Sequence, residues 1–251
     1  MDLALLDLLQ NVFVVLVRPR VPENIGAAAR AVANMGLGGL RLVDPADLTD
    51  KPMRALATAQ GQRVLESMTV SDSLAAALAD CVAAAATTAR LGERRGALIP
   101  PRQAAPEIMT WARRGPVAVV FGPEDRGLSH EQVDLCRLSI NIPTSQASSL
   151  NLAQSVIVLA YELRLAAENG AGLERRKLPT PAPLGEIQAL LAHLQEAFVN
   201  IGHLDANNPA HFMRLLKAPL ERAAMTSKEV RAWRGVARQV NWLHGRLARK
   251  D

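Results

Sequence analysis

Cysteine is scarce: among 251 residues only Cys81 and Cys136 occur, both in alanine- and leucine-rich surroundings and without ligand spacing between them. Such a pair holds no metal and reads as two buried, inert thiols of a chain suited to a reducing compartment. Long apolar runs are missing too. No stretch offers ~20 uncharged apolar residues, and no basic segment leads into an apolar run with a small-residue cleavage site. The expectation is therefore a soluble, untargeted, cytoplasmic protein. No internal repeat is present. His193, His203, His211 and His244 show no metal-ligand spacing, so no metal is expected, and His130, beside a capping serine, reads as structural or solvated and not as a proton acceptor.

What is present is enough to fold. A hydrophobic content of 49% over this length buries a full core, one main domain with a small appendage. Net charge is +5 and unevenly placed: from Glu174 onward there are 13 Lys+Arg against 7 Asp+Glu, whereas residues 1–173 hold 16 against 17. A basic end on a near-neutral body favours a polyanionic partner.

The run Val12–Val17 is continuous, apolar and β-branched, the pattern of a strand covered on both faces of a parallel sheet. A polar turn follows, then a helix from Asn24, the expected N-cap, to Met35, with Gly36 as its stop. Leu40–Val43 closes a βαβ unit. Leu74–Leu78 reads as helix, Cys81–Ala86 as a buried strand ending at Thr87-Thr88, and Val117–Phe121 as the clearest strand, broken by Gly122-Pro123. Ser129-His-Glu-Gln132 has capping-box spacing. Ile140–Ile142 reads as a last short strand, and Leu152, Val156, Leu159 and Leu163 mark a long helix from about Ser149 to Glu168. Residues 169–185 have linker composition. The expected domains are 1–172, α/β, and 173–251, linker and helical extension with helices near 187–199, 211–216 and 228–249.

Three turns follow strand ends, where open α/β sheets bind ligands. Pro22-Glu-Asn24-Ile-Gly26-Ala-Ala-Ala-Arg30 offers a close-approach glycine and an arginine fork suited to phosphate or ribose oxygens. Phe121-Gly122-Pro-Glu124-Asp-Arg-Gly127-Leu128 brackets a carboxylate with glycines. Ile142-Pro-Thr-Ser-Gln-Ala-Ser148-Ser149-Leu150-Asn151-Leu-Ala-Gln154 clusters hydroxyls and an amide at a helix start, where N–H groups meet ligand oxygens or the serines simply cap.

Taken together and in this order, Asn-x-Gly-Ala-x-x-Arg, Phe-Gly-x-Glu-x-x-Gly-Leu and Ser-Leu-Asn-Leu-Ala, with Thr87-Thr-Ala-Arg90 between, resemble the signature motifs of the SpoU, or TrmH-like, branch of the SPOUT RNA methyltransferases, most closely its TrmJ subgroup. The likeness runs from about Phe13 to Leu163. It implies an α/β fold, a mostly parallel sheet with helices on both faces, whose C-terminal part threads a trefoil knot, and an obligate homodimer. It also implies S-adenosylmethionine as cofactor and 2′-O-ribose methylation of tRNA at pyrimidine 32 of the anticodon loop, with rRNA as the alternative target. The family pattern assigns ribose binding and catalysis to Asn24, Arg30, Ser149 and Asn151. It assigns the cofactor to Thr87, Thr88, Ala89, Gly122, Glu124, Gly127, Ile142, Ser148, Ser149 and Leu150. Arg18, Arg30, Arg90 and Arg94 are the expected RNA contacts on the core. One departure is a segment between Ile142 and Ser148 that is one residue shorter than the pattern, with Gln146-Ala147 in place of a Pro-Glu-Tyr-like stretch.

A guanidinium with a pKa above ~12 is an awkward base, so Arg30 reads as a donor that orients oxygen and stabilises developing charge. Arg30 in a perturbed state, an RNA phosphate and water all stay open as proton acceptor. Two rival readings carry other functions. A nicotinamide-dependent oxidoreductase would use Asp44 at the end of the second strand, but Gly-x-Gly-x-x-Gly is missing after the first. A noncatalytic RNA-binding relative would not need Asn24, Arg30, Ser149 and Asn151 intact. In the extension, Arg231, Arg234 and Arg238 at spacings of three and four read as one helical stripe for tRNA phosphates.

Overall fold

The computed structural model describes residues 7–88, 98–145, 150–170, 179–205 and 208–247. The chain forms two compact units, Met1–Lys177 and Leu178–Asp251.

The first unit is built on a seven-stranded sheet in the order β3-β2-β1-β6-β4-β7-β5, with every strand pair parallel. Its strands are β1 (Val12–Val17), β2 (Gly39–Val43), β3 (Thr69–Ser71), β4 (Ala83–Thr87), β5 (Leu98–Ile99), β6 (Val117–Phe121) and β7 (Leu138–Ile140). The central strands explain the unbroken apolar runs in the sequence, because every residue of β6 is buried and nearly every residue of β1 and β4. One face of the sheet, with Val12, Val14, Leu16, Leu40, Leu42, Ala85, Val119, Phe121 and Ile140, shares a core with helices α1 (Pro22–Met35), α5 (Pro101–Ala112) and α7 (Leu152–Gly170).

Between these elements lie α2 (Asp50–Ala55), α3 (Ala59–Ser67), α4 (Leu74–Ala77) and α6 (His130–Asp134). Ser129 caps α6 in a full capping box with Gln132, as its spacing predicts. Gly36 ends α1 at φ 73°, the left-handed conformation that favours glycine.

Three expectations need correction. Asn24 does not cap α1: the helix starts at Pro22, whose missing N–H costs nothing at a first-turn position, and Val21 precedes it without a side-chain cap. The last strand is Leu138–Ile140, because its ladder follows β4, which ends where Thr87 meets Ile140, and Ile142 lies beyond it. The cap of α7 is Asn151, not a serine: its Oδ1 accepts from the N–H groups of Ala153 at 2.9 Å and Gln154 at 3.3 Å.

The second unit contains α8 (Leu184–Asn200), α9 (Ala210–Ala223) and α10 (Ser227–Leu247). Ile187, Leu190, Leu194, Ala197, Met213, Met225, Val230 and Ala237 form its buried core. Helices α8 and α10 run parallel. Ser227 Oγ donates to Glu186 Oε1 at 3.1 Å, Arg234 Nε to His193 Nδ1 at 3.4 Å, and Asn200 Nδ2 to Asn241 Oδ1 at 3.1 Å, always 41 residues apart. The three contacts recur every seven residues, the repeat of a coiled-coil seam.

Candidate active site

In a parallel sheet all strand C-termini share one edge. Here β1, β6, β4 and β7 are consecutive neighbours, so the turns after Val17, Phe121, Thr87 and Ile140 lie side by side. The sequence motifs occupy these turns and are joined by side-chain hydrogen bonds. Asn24 Nδ2 donates to Glu124 Oε1 at 2.8 Å, and Asn151 Nδ2 donates to Asn24 Oδ1 at 2.9 Å. Glu124 Oε2 also accepts the backbone N–H of Arg20 at 3.2 Å. Asn24, at 9% exposure, is one of the few buried polar side chains among the described residues. A buried amide costs free energy unless it is bonded, and both ends of this one are. A continuous polar line thus runs from the turn after β1, through Glu124 and Asn24, to the first turn of α7.

The supporting backbone is close-packed. A methyl group on Gly26 would collide with the carbonyl of Met53 in α2, and one on Gly122 would collide with the backbone of Gly127 and Leu128. Gly122 therefore lets its own loop close back on itself, while Gly127 takes φ 63°. That differs from a glycine that simply leaves room for a ligand. Asp125 in the same loop is held below the usual carboxylate range. Desolvation, the largest single influence, opposes this, but is outweighed by the hydrogen bond and charge of Arg126 and by the charge of Arg20, whose Nη1 lies 3.0 Å away.

Thr87 Oγ1 donates to Val120 O at 3.0 Å, and Thr88 continues the ladder by donating its N–H to Ile140 O at 2.8 Å. The carbonyl of Thr88 accepts from Asn141 Nδ2 at 3.0 Å. These bonds fix the ends of β4 and β7. Ile142 is half-buried and Leu150 is exposed. Ala89, Arg90, Arg94, Ser148 and Ser149 lie outside the described residues.

Arg30 is exposed on α1, on a different face from Asn24, and no hydrogen bond or ion pair to its side chain exists among the described residues. Its backbone meets α3 closely: a methyl group on Gly61 would sit 3.2 Å from the Arg30 Cα and N. Arg18 is engaged, with Nε 2.6 Å from Asp44 Oδ2. Both residues adopt positive φ, 49° and 45°, at the ends of β1 and β2. Asp44, the acid an oxidoreductase would need for a ribose, is thus paired with an arginine.

The sequence offers Asn24, Glu124 and Asn151 as candidates but gives no sign that they bind one another, since the partners stand 100 and 127 residues apart. Gly61 was missed altogether, and a lone glycine after a capping Thr58 gives no signal of close helix contact.

An all-parallel sheet that gathers these motif loops on one edge is the arrangement expected of a methylase of the SpoU type. The profile described as the SpoU rRNA methylase family matches residues 11–161, and the chain belongs to that family. A second profile, the C-terminal domain of tRNA methyltransferase TrmJ, matches residues 185–251. The tRNA (cytidine/uridine/adenosine-2′-O-)-methyltransferase TrmJ of Pseudomonas aeruginosa (strain UCBPP-PA14) is 35% identical over 241 residues, covering 91% of this chain and 93% of its own. The tRNA (cytidine/uridine-2′-O-)-methyltransferase TrmJ of Escherichia coli (strain K12) is 34% identical over 234 residues, covering 91% and 94%. Among solved structures, TrmJ from Z. mobilis ZM4 superposes with a TM-score of 0.75 at 36% identity, over 90% of this chain and 97% of its own. Within the SpoU methylases, then, this chain is of the TrmJ kind.

Proposed function

We propose that this protein transfers a methyl group from S-adenosylmethionine to a ribose 2′-hydroxyl of tRNA, at pyrimidine 32 of the anticodon loop, as a cytoplasmic homodimer whose C-terminal sheet region is threaded as a trefoil knot. The observation that carries the reading is the hydrogen-bonded line Glu124–Asn24–Asn151, which draws all three motif loops to one sheet edge. Likeness to TrmJ proteins along 91% of the chain supports tRNA over rRNA as the target. No helix among the described residues is long and apolar enough to cross a membrane.

The residues present suit the cofactor. Thr87, Thr88, Gly122 and Ile142 sit at or just beyond the ends of adjacent strands, where bonded backbone makes a rigid cradle, and the aliphatic side chains of Ile142 and Leu150 suit the flat face of an adenine ring. The family pattern adds Ala89, Ser148 and Ser149, which lie outside the described residues, while Glu124 and Gly127 hold the loop. When bound, S-adenosylmethionine supplies an electrophilic methyl on sulfur, so what falls to the protein is alignment and charge stabilisation.

Arg30 meets that need as an exposed fork of donors. It orients the ribose oxygen or the neighbouring phosphate and stabilises the negative charge that develops as the hydroxyl proton leaves to phosphate or water. Asn24 and Asn151 bind each other and the start of α7, and so keep the motif loops in register during the reaction. Ser149 is the remaining ribose contact in this reading.

The test is purified protein with labelled S-adenosylmethionine and bulk tRNA, followed by mapping of ribose methylation in tRNA from a deletion strain. Loss of the methyl at nucleotide 32 is expected. An unchanged tRNA pattern beside a lost rRNA methyl overturns the assignment.

A further inference from the structure

The basic stripe expected on α10 is divided differently in three dimensions. Arg234 turns inward and donates to His193, leaving the outer surface to other residues. Arg231, Gly235, Arg238, Trp242 and Arg246 succeed one another at spacings of four, three, four and four, which places them on one face. All but Gly235 are exposed, and Arg246 lies over the Trp242 ring at 4.8 Å. With one side of the indole taken by a guanidinium, Trp242 still keeps 49% of its surface exposed. A methyl group on Gly235, two turns before Trp242, would meet nothing within 4 Å, so the space beside the backbone there is open. No Asp or Glu occurs between Val230 and Leu247.

An exposed indole amid unopposed arginines has the chemistry of a single-strand nucleic-acid platform: bases stack on the ring while guanidinium groups hold the flanking phosphates. A purely electrostatic patch would need no tryptophan, and an apolar protein contact would not be ringed by like charges. Trp233, equally exposed at 52%, lies elsewhere on the helix.

We propose that Trp242, flanked by Arg231, Arg238 and Arg246, is a stacking site for an unpaired base of the RNA substrate, separate from the ribose that is methylated. The site rests on the reading of this protein as an RNA methyltransferase. It binds through the base face and the phosphates, so it takes single-stranded in preference to duplex RNA and tolerates any base sequence.

The experiment uses the full chain and three probes: a short oligouridylate, a duplex RNA of equal length, and polyglutamate as a polyanion without bases. Trp242→Ala is expected to weaken oligouridylate binding by about 5- to 150-fold, the range for one stacked base. Trp242→Phe retains most of the affinity, and Trp233→Ala leaves it unchanged. Arg231→Ala with Arg238→Ala makes the plot of log affinity against log salt shallower by about 0.7 per lost contact on a single strand. Equal effects of Trp242→Ala and Trp233→Ala, or polyglutamate binding as tight and as Trp242-dependent as oligouridylate, overturns the proposal, the latter in favour of an acidic protein partner. Should the wild-type chain fail to methylate tRNA yet bind oligouridylate through Trp242, the enzymatic reading fails and the stacking site stands. Methylation with binding indifferent to Trp242 removes the stacking site and leaves the enzyme.

Discussion

At the scale of single residues, the site separates groups that hold the protein together from one that faces outward. The Arg30 side chain has no hydrogen bond or ion pair among the described residues, whereas the Asn24 amide is bonded at both its nitrogen and its oxygen. Arg30→Ala is accordingly expected to abolish methyl transfer while leaving S-adenosylmethionine affinity, measured by calorimetry, within a few-fold of wild type. Loss of both cofactor affinity and folding would make Arg30 structural. Asn24→Asp tests the other kind of residue. It replaces the amide that donates to Glu124 with a second carboxylate, and two carboxylates at hydrogen-bond distance cannot both stay ionised without cost. One of them acquires a raised pKa in the folded state. Stability conferred by that shared proton is present at low pH and lost as pH rises through the raised value. The melting temperature of Asn24→Asp should therefore approach that of wild type near about pH 5 and fall well below it near about pH 8. A deficit independent of pH would show that the contact with Glu124 is not what the substitution breaks.

Among elements, what was readable in the sequence is what local chemistry determines. The strands Val12–Val17 and Val117–Phe121, the stop at Gly36 and the capping box at Ser129 each depend on residues within one short segment. The strand Leu138–Ile140 was displaced by two residues because the alternation of apolar Leu138, Ile140 and Ile142 with polar Ser139 and Asn141 continues past the point where its partner ends. The two- and three-residue strands Leu98–Ile99 and Thr69–Ser71 exist only through neighbours distant in sequence, and the helix Pro101–Ala112 is disguised by Pro101 and Pro106. The motif residues were legible as a set, but the bonds among them were not. Helix α10 shows how much a local motif can carry. The Thr226 N–H and hydroxyl both donate to Glu229 Oε2, at 2.7 and 2.9 Å, and Thr226 Oγ1 accepts from the Glu229 N–H. The backbone N–H and then the hydroxyl of Thr226 hold the Glu229 carboxyl below its usual range. A depressed folded pKa gives stability that is present above the unfolded value, near pH ~4.3, and lost as pH falls through the folded one. Glu229→Gln should lower the melting temperature of the C-terminal unit at neutral pH and have less effect as the pH drops below the carboxylate range. A difference that grows in acid would contradict this account of the cap.

For the whole molecule, every motif segment falls in the compact unit Met1–Lys177 and the arginine–tryptophan face of α10 in Leu178–Asp251. Helix α7 ends at Gly170, where Arg113 Nη2 donates to the Gly170 carbonyl at 2.7 Å. A chain ending near Gly172 should keep this anchor and fold. It should bind S-adenosylmethionine, but hold tRNA more weakly and with a shallower salt dependence than the full chain. Unchanged tRNA affinity and salt slope would move the RNA surface onto the core, near Arg18 and Arg20. The bonds of Asn24, to Glu124 and to Asn151, reach across 100 and 127 residues. During synthesis, Asn24 leaves the ribosome long before either partner exists, and Asn151 is the last of the three to emerge. A nascent fragment that stops short of it can join Asn24 to Glu124 at most, and lacks the bond that ties both to the start of α7. The full line of bonds therefore closes late, and a chain still being synthesised is expected to be unable to modify the tRNAs that surround it on the ribosome.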